Sequence, residues 1–315
     1  MGETKQSQYG GEALIEGIMM KGKQNLAIAI RKSDGEIHLE RKPVKSLSQK
    51  YKFLKWPVLR GAVGIIETMV LGVRSLMYSA EFFEIDEEES EPSKFDKFME
   101  KVFGEKLQDA IIYLSVIIAV GLGVGLFILL PNIIAELLGF NKNAGGSVVF
   151  YNLFEGLIRM TLFMGYIVLV SRLDDVRRVF EYHGAEHKTI HCYEHNEELT
   201  VDNVKKYTTR HPRCGTAFLF VVMIMSVFVF SIIGRHTMLI NITLRLLLIP
   251  LIAGLSYEII KFAGRSEASW VKIVTAPGLA LQKFTTREPD AEQIEVAITA
   301  LKEVIDNESG EKCTL

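Results

Sequence analysis

Residues 181–195 read EYHGAEHKTIHCYEH and set His183, His187, His191 and His195 four residues apart. Residues four apart share one face of an α-helix, so His183 and His187 can direct both imidazoles at a single ion. The run from His183 to His187 spells H-x-x-E-H, the letters of the inverted zinc-peptidase motif. Glu186, beside the second imidazole, is suited to act as general base toward a water on that ion. Downstream, RHPRCGT sets His211 and Cys214 three apart. His183, His187, His211 and Cys214 together make a four-ligand set for a divalent metal, with Zn²⁺ the best match to an imidazole–thiolate mixture. His191, Cys192 and Glu194 are reserve ligands. Four protein ligands would close the site and make it structural, whereas three would leave a position open for chemistry. The plainer reading is a polar helix face leaving a membrane, and the regular histidine spacing followed by H-x-x-C weighs against it. Gly184 argues against an unbroken helix here, at about 1 kcal/mol relative to Ala.

These residues must be held next to a membrane. Residues 110–130 and 216–233 carry no charge, and about 20 apolar residues suffice to cross the hydrocarbon core. Residues 148–170 and 238–257 are nearly as apolar, but hold Glu155 and Arg159 in the first and Arg245 in the second. Four spans are therefore expected. The connecting segment 171–214 carries Arg172, Arg177, Arg178, Lys188, Lys205, Lys206, Arg210 and Arg213, whereas 131–147 has only Lys142 and 234–237 only Arg235. The positive-inside rule then makes 171–214 and both termini cytoplasmic. Glu155 and Arg159 have the favourable i,i+4 order for an ion pair. Charges at that depth, with Arg245 and Asn241 on the fourth span, mark a polar cavity or an interhelical lock, and the lock is favoured. Gly121, Gly123 and Gly125 on the first span would permit close helix approach.

The rest of the chain divides around those spans. NLAIAIR, SDG and EIHLER read as a β-hairpin inside an N-terminal cytoplasmic β unit, 1–56. In 57–80, Arg60, Glu67 and Arg74 recur every seven residues on one helical face, which favours an amphipathic helix lying at the interface over a fifth span. Residues 81–108 read as an acidic linker and helix, 109–260 as the four-span domain, and 261–315 as a cytoplasmic helical segment. In that last segment Thr285 or Thr286 would cap a helix whose stripe is Ile294, Ile298, Leu301 and Ile305. The fold class is thus mainly α, a polytopic membrane protein with a small β unit and cytoplasmic helices. No cleaved signal peptide is expected. Three cysteines make no disulfide framework and fit a reducing compartment. A formal net charge of -2 gives no case for a nucleic-acid partner, and a mean hydropathy of +0.21 fits a membrane protein with segregated charges.

Four ordered motifs, YGGEALIEGIMMKG, EYHGAEHKTIHCYE, HPRCGTAF and PGLALQKFTTREPD, together resemble the bacterial YqhQ family over nearly the whole chain. That is a family of membrane proteins of unknown function, labelled a predicted metal-dependent enzyme. The resemblance implies a bacterial inner-membrane protein and maps His183, Glu186, His187, Glu194, His211 and Cys214 onto the family's motif positions. His191, Cys192 and His195 fall outside them.

Two functional readings follow. One is a membrane-anchored, metal-dependent hydrolytic enzyme with Glu186 as its base. The alternative is a non-catalytic assembly: a homo-oligomeric channel, transporter or membrane-protein biogenesis scaffold, its motif loop serving structure. The substrate is not legible in the residues.

Overall fold

A computed structural model of the chain describes residues 9–44, 46–83, 107–138, 148–212, 214–234, 237–263 and 269–309. The acidic run beyond residue 83, the loop 139–147 and Cys313 lie outside the described residues. The chain divides into two compact units, one of residues 1–83, 165–225 and 249–315, the other of 84–164 and 226–248.

The first unit is built on a four-stranded antiparallel sheet in the order β1 (Gly10–Leu14), β2 (Gly17–Lys21), β3 (Asn25–Arg31) and β4 (Ile37–Pro43). The expected hairpin is β3–β4, with Ala29 opposite Leu39 and Gly35 at φ 87° in its turn. Strands β1 and β2 were not expected. Their Gly10, Gly11, Gly17 and Glu12 are residue types that strands usually avoid, and tertiary contacts override that preference. The large–small alternation of β3 has a concrete cause, because both faces of the sheet are covered. Ala27 and Ala29, with Ile18 and Met20, face one helical layer, where small side chains let the helices come close. Leu26, Ile28 and Ile30, with Leu14 and Met19, face Leu71, Tyr78, Phe82 and Phe83 on the other side.

Helix α1 (Leu47–Lys50) is capped by Ser46. Helix α2 (Leu59–Ala80) covers the large-residue face, with Ser79 Oγ accepting from the Ile15 N–H at 3.2 Å. The three residues of its heptad pattern are used separately. Arg60 pairs with Glu258, Glu67 accepts from Ser46 Oγ and the Leu47 N–H, and Arg74 lines a groove beside Lys21. The opposite face, with Leu59, Ile66, Met69, Val70, Val73 and Leu76, is exposed.

Helix α3 (Leu107–Val124) continues through one wide turn into α4 (Leu130–Leu137) and is followed by α5 (Val148–Val170). Next come α6 (Asp174–Glu194), the short α7 (Val201–Lys205), α8 (Gly215–Ile233), α9 (Met238–Ala263), α10 (Ser269–Thr285) and α11 (Ala291–Ser309). Among the described residues, five helices are long and apolar enough to cross a membrane: Leu59–Ala80, Leu114–Leu137, Val148–Val170, Gly215–Ile233 and Leu239–Phe262. These include the four expected spans, and α2 is the least apolar at a mean hydropathy of 1.3. The chain is therefore of membrane-protein type by helix length and composition.

Among the described residues of the second unit, Glu155, Arg159 and Arg245 form one buried cluster. Arg159 Nη2 donates to Glu155 Oε1 at 2.6 Å and Arg159 Nη1 to Ser226 Oγ at 3.0 Å, while both Arg245 terminal nitrogens bond the two Glu155 oxygens. The pair read from i,i+4 spacing is thus a triad that ties α5, α8 and α9 together. The cavity beside it, lined by Asn152, Asn241 and Arg245, has a volume of only about 10 Å³. Gly121, Gly123 and Gly125 meet open space rather than another described helix.

Helix α11 packs its expected stripe against the small-residue face, with Ile294 and Leu301 fully buried. Its cap differs from the expectation. Asp290 Oδ1 accepts from the Gln293 N–H at 2.8 Å and Gln293 Oε1 from the Asp290 N–H at 3.0 Å, a reciprocal capping box. Thr285 ends α10 instead, and Thr286 Oγ1 bonds back to the Gln282 carbonyl. Pro289 has no amide to give a cap at Thr286, three residues earlier, and the helix starts only beyond it.

Candidate metal centre

Helix α6 carries His183, Glu186, His187, His191 and Glu194 on one arc, and it is not broken at Gly184. A Cβ at Gly184 would lie 2.0 Å from the Arg287 carbonyl oxygen. The glycine is there because the chain after α10 crosses α6 at that point, with the Arg287 N–H donating to the Phe180 carbonyl at 2.9 Å. The penalty read from the sequence is real, and packing offsets it.

The crossing chain supplies the outer support of the site. His183 Nδ1 lies 2.8 Å from the Thr285 carbonyl oxygen, and His187 Nδ1 lies 2.5 Å from that of Thr209. A carbonyl only accepts, so each ring donates from Nδ1 and keeps its lone pair on Nε2. This is the arrangement in which histidines bind metals. His183 Nε2 is 3.3 Å from Cys214 Sγ, and the two imidazole centroids are 4.4 Å apart. One ligand atom from each of His183, His187 and Cys214 lies within 4.8 Å of the others.

His211 is not in that trio. It falls with His191 and Glu194, whose ligand atoms also lie within 4.8 Å of one another. The four-ligand set expected from the sequence is therefore divided, because the bend around Pro212 directs His211 toward the last turn of α6 and Cys214 toward the turn before it. His187 and His211 nevertheless remain neighbours, with centroids 5.6 Å apart. Cys192 points away from both clusters into the hydrophobic core, where burial pushes its thiol up to about 11. His195 bonds back to the His191 carbonyl at 2.7 Å and packs its ring against Tyr207, with centroids 4.9 Å apart. Glu155, Arg159 and Arg245 belong to the buried triad of the second unit.

Glu186 is buried against the sheet. Its Oε1 accepts from the Gly11 N–H at 2.9 Å and its Oε2 lies 3.4 Å from His187 Nε2. A Cβ at Gly11 would come within 2.7 Å of Glu186 Cγ, so only glycine lets β1 approach this close. Burial raises the Glu186 carboxyl above its ordinary value, opposed by the imidazoles of His183 and His211 and by the Gly11 N–H. Burial lowers His187, with the neighbouring Cys214 acting against it, so the ring is biased to the neutral, metal-binding form.

The floor of a pocket of about 640 Å³ carries His183, Glu186, His187 and Cys214, and its walls include Glu12, Thr68, Ile190 and Leu219. Glu12 was missed by sequence reasoning. Its carboxyl is pushed up to about 7, mainly by burial, with Lys21 lowering it and Glu186 raising it further. Gln282 was missed as well. It is fully buried on α10, takes the His211 N–H on Oε1 at 2.8 Å and donates from Nε2 to the His211 carbonyl at 2.8 Å. Gly278 makes that clamp possible, since any Cβ there would lie 2.7 Å from Ala217 Cα on α8. A buried carboxylate and a buried amide leave no periodicity signal, so only the motif strings YGGEALIEG and PGLALQKF hinted at them.

A double-faced sheet unit bearing a His/Glu/Cys cluster, continuous with long apolar helices, defines a membrane-type protein with a metal-ligand donor set. Comparison with known proteins gives the family. Residues 56–307 match the model described as "Protein of unknown function (DUF1385)", and the chain belongs to that family. The "Uncharacterized protein YqhQ" of Bacillus subtilis (strain 168) is 34% identical over 304 residues, covering 94% of this chain and 92% of that protein. The resemblance seen in the four motifs is thereby borne out. No solved structure matches.

Proposed function

We propose that this chain is a four-pass bacterial inner-membrane protein that holds a divalent metal, best matched by Zn²⁺, at its cytoplasmic boundary and uses it for hydrolysis. The observation that carries the reading is the pair of imidazoles anchored through Nδ1 to main-chain carbonyls, sharing a pocket floor with a thiol. Three protein donors leave a coordination position open, as a catalytic rather than a closed site requires. A bound ion would supply Lewis acidity toward a substrate carbonyl or phosphoryl oxygen. Glu186, fixed by the Gly11 N–H, accepts a proton from the attacking water through its second oxygen. Glu12, with its carboxyl near 7, is suited to return a proton to the leaving group. Ile190 and Leu219 give the pocket an apolar side that favours a substrate with a lipid or apolar-peptide part.

The topology rests on parity. Strand β1 and helix α6 belong to one packed unit, joined by Gly11–Glu186 and by Arg178–Glu16. They must share one side of the membrane, so an even number of crossings separates them. Among the described residues, the segment between them holds α2, the helix of Leu114–Leu137 and α5. Our reading has two of these cross and α2 lie at the interface, which its being the least apolar and packing along the sheet supports. The basic loop 171–214 then favours the cytoplasm for this unit and for both termini.

Elemental analysis of protein purified without chelator tests the metal. About one transition-metal ion or more per chain is expected, and Cys214→Ser should lower it. Absence of stoichiometric metal would end the reading. The alternative, a homo-oligomeric channel, transporter or biogenesis scaffold, is favoured by the open glycine face of the first span, while the sealed triad counts against conduction at that depth. Glu186→Gln separates the readings: it should retain the metal and abolish hydrolysis, yet leave a scaffold working.

A further inference from the structure

His191, Glu194 and His211 remain unused by the three-donor centre. His191 and Glu194 lie at the end of the same helical arc, one turn beyond His187, and His211 faces them from the chain before α8. We infer that they form a second cation position, so that the chain carries a two-ion centre. This builds on the metal reading of the neighbouring trio.

The geometry repeats itself along α6. The first position draws two residues four apart on the helix, His183 and His187, and Cys214 from the returning chain. The second draws two residues three apart, His191 and Glu194, and His211 from the same returning chain. His211 and Cys214, three apart on that returning chain, thus serve different turns of the helix. The imidazoles of His191 and His211 lie 4.6 Å apart, and His211 Nε2 lies 3.5 Å from Glu194 Oε2.

Both histidines are held in place. His191 Nε2 donates to the Arg210 carbonyl at 2.9 Å, which leaves the lone pair on the other ring nitrogen. Thr209 and Arg210 thus orient one histidine of each position through adjacent carbonyls. The main chain of His211 is pinned at both its N–H and its carbonyl by buried Gln282, an expenditure of a buried amide that a solvated polar face does not need. Glu194 and His211 are both more than nine-tenths buried.

The donor sets differ in kind. The trio with Cys214 has a soft thiolate and suits Zn²⁺. Two imidazoles and a carboxylate form a harder set that takes Zn²⁺, Mn²⁺ or Fe²⁺ and leaves positions open. Two cations side by side can clamp both the entering and leaving oxygens of a displacement, which fits phosphoester or amide hydrolysis.

Cobalt(II) distinguishes the positions, because only the one with Cys214 gives a thiolate-to-cobalt charge-transfer band. Full-length protein in detergent, stripped of metal and titrated with Co²⁺, should bind about two equivalents. Glu194→Gln and His191→Ala should each bind about one and keep the band, and the retained band shows that the fold around the first position survives. Cys214→Ser should lose the band. A wild-type count of one, unchanged in Glu194→Gln and His191→Ala, overturns the second position while leaving the first intact. Loss of the band in Glu194→Gln together with a wild-type count of one also overturns it, since all six residues would then serve a single ion. A count of zero removes both this inference and the metal reading beneath it.

Discussion

Two carboxyl groups meet across the pocket, Glu12 from β1 and Glu186 from α6, and burial pushes both toward the protonated form. For Glu12 the consequence has a definite sign. Its folded value of about 7 stands above the ordinary 4.5, so the folded state binds the proton more tightly. The stabilisation this gives is fully present below about pH 4.5 and is lost as the pH rises toward 7, for a change of about 3 kcal/mol. Glu12→Gln imitates the protonated form. In metal-stripped protein it should match the parent in thermal unfolding at pH 4.5 and exceed it at pH 8; equal midpoints at pH 8 would remove the assigned burial. At Gly184 an added side chain would meet a main-chain oxygen rather than a movable side chain. Gly184→Ala should therefore cost about 1–3 kcal/mol by overpacking, and it should weaken metal binding because the displaced segment carries the Thr285 carbonyl that orients His183. A variant with unchanged midpoint and unchanged metal content would mean the crossing is loose.

At the scale of elements, α2 does two jobs with opposite faces. One covers the sheet through Leu71 and Tyr78 and lines the pocket through Thr68. The other exposes Ile66, Met69, Val70 and Val73, preceded by the aromatic and basic run Tyr51, Lys52, Phe53, Lys55 and Trp56. Such a face suits the headgroup boundary. Spin labels at residues 59, 66 and 73 should report similar shallow depths by power saturation in bilayers; depths that pass through the bilayer centre would make α2 a span. In the second unit, Glu155 neutralises charge on Arg159 and Arg245 at once. Glu155→Gln leaves two buried guanidinium groups facing each other, and breaking a buried pair in this way costs about 3–5 kcal/mol. Thermal unfolding in detergent should register that loss, and a neutral result would show the triad to be solvated.

For the whole molecule, the packed unit joins segments from both ends of the chain and from its middle, so a wrong crossing number would tear the sheet from α6. Cysteine accessibility in a background lacking the native cysteines checks this. Lys142→Cys should react with an impermeant maleimide in intact spheroplasts, and Lys205→Cys only after lysis. The reverse pattern would invert the topology, and reaction at both would show that α5 does not cross and would return α2 to the spans.

Much of this was legible from residue type and spacing. Uncharged runs of span length, the β3–β4 hairpin, the α11 stripe, the i,i+4 pair of Glu155 with Arg159 and the His183/His187 pair are all local patterns, set by helical and strand period. Other features depend on which distant segments meet. Nothing near Gly184 in sequence reveals that Arg287 crosses there, nothing near Glu12 reveals its burial, and nothing near His211 reveals the clamp from Gln282. The division of six donors into two trios is of the same kind. Spacing restricts which residues can share a face, whereas ligand sharing, desolvation and close backbone approach are properties of side chains brought together from remote parts of the chain, and only the tertiary packing decides them.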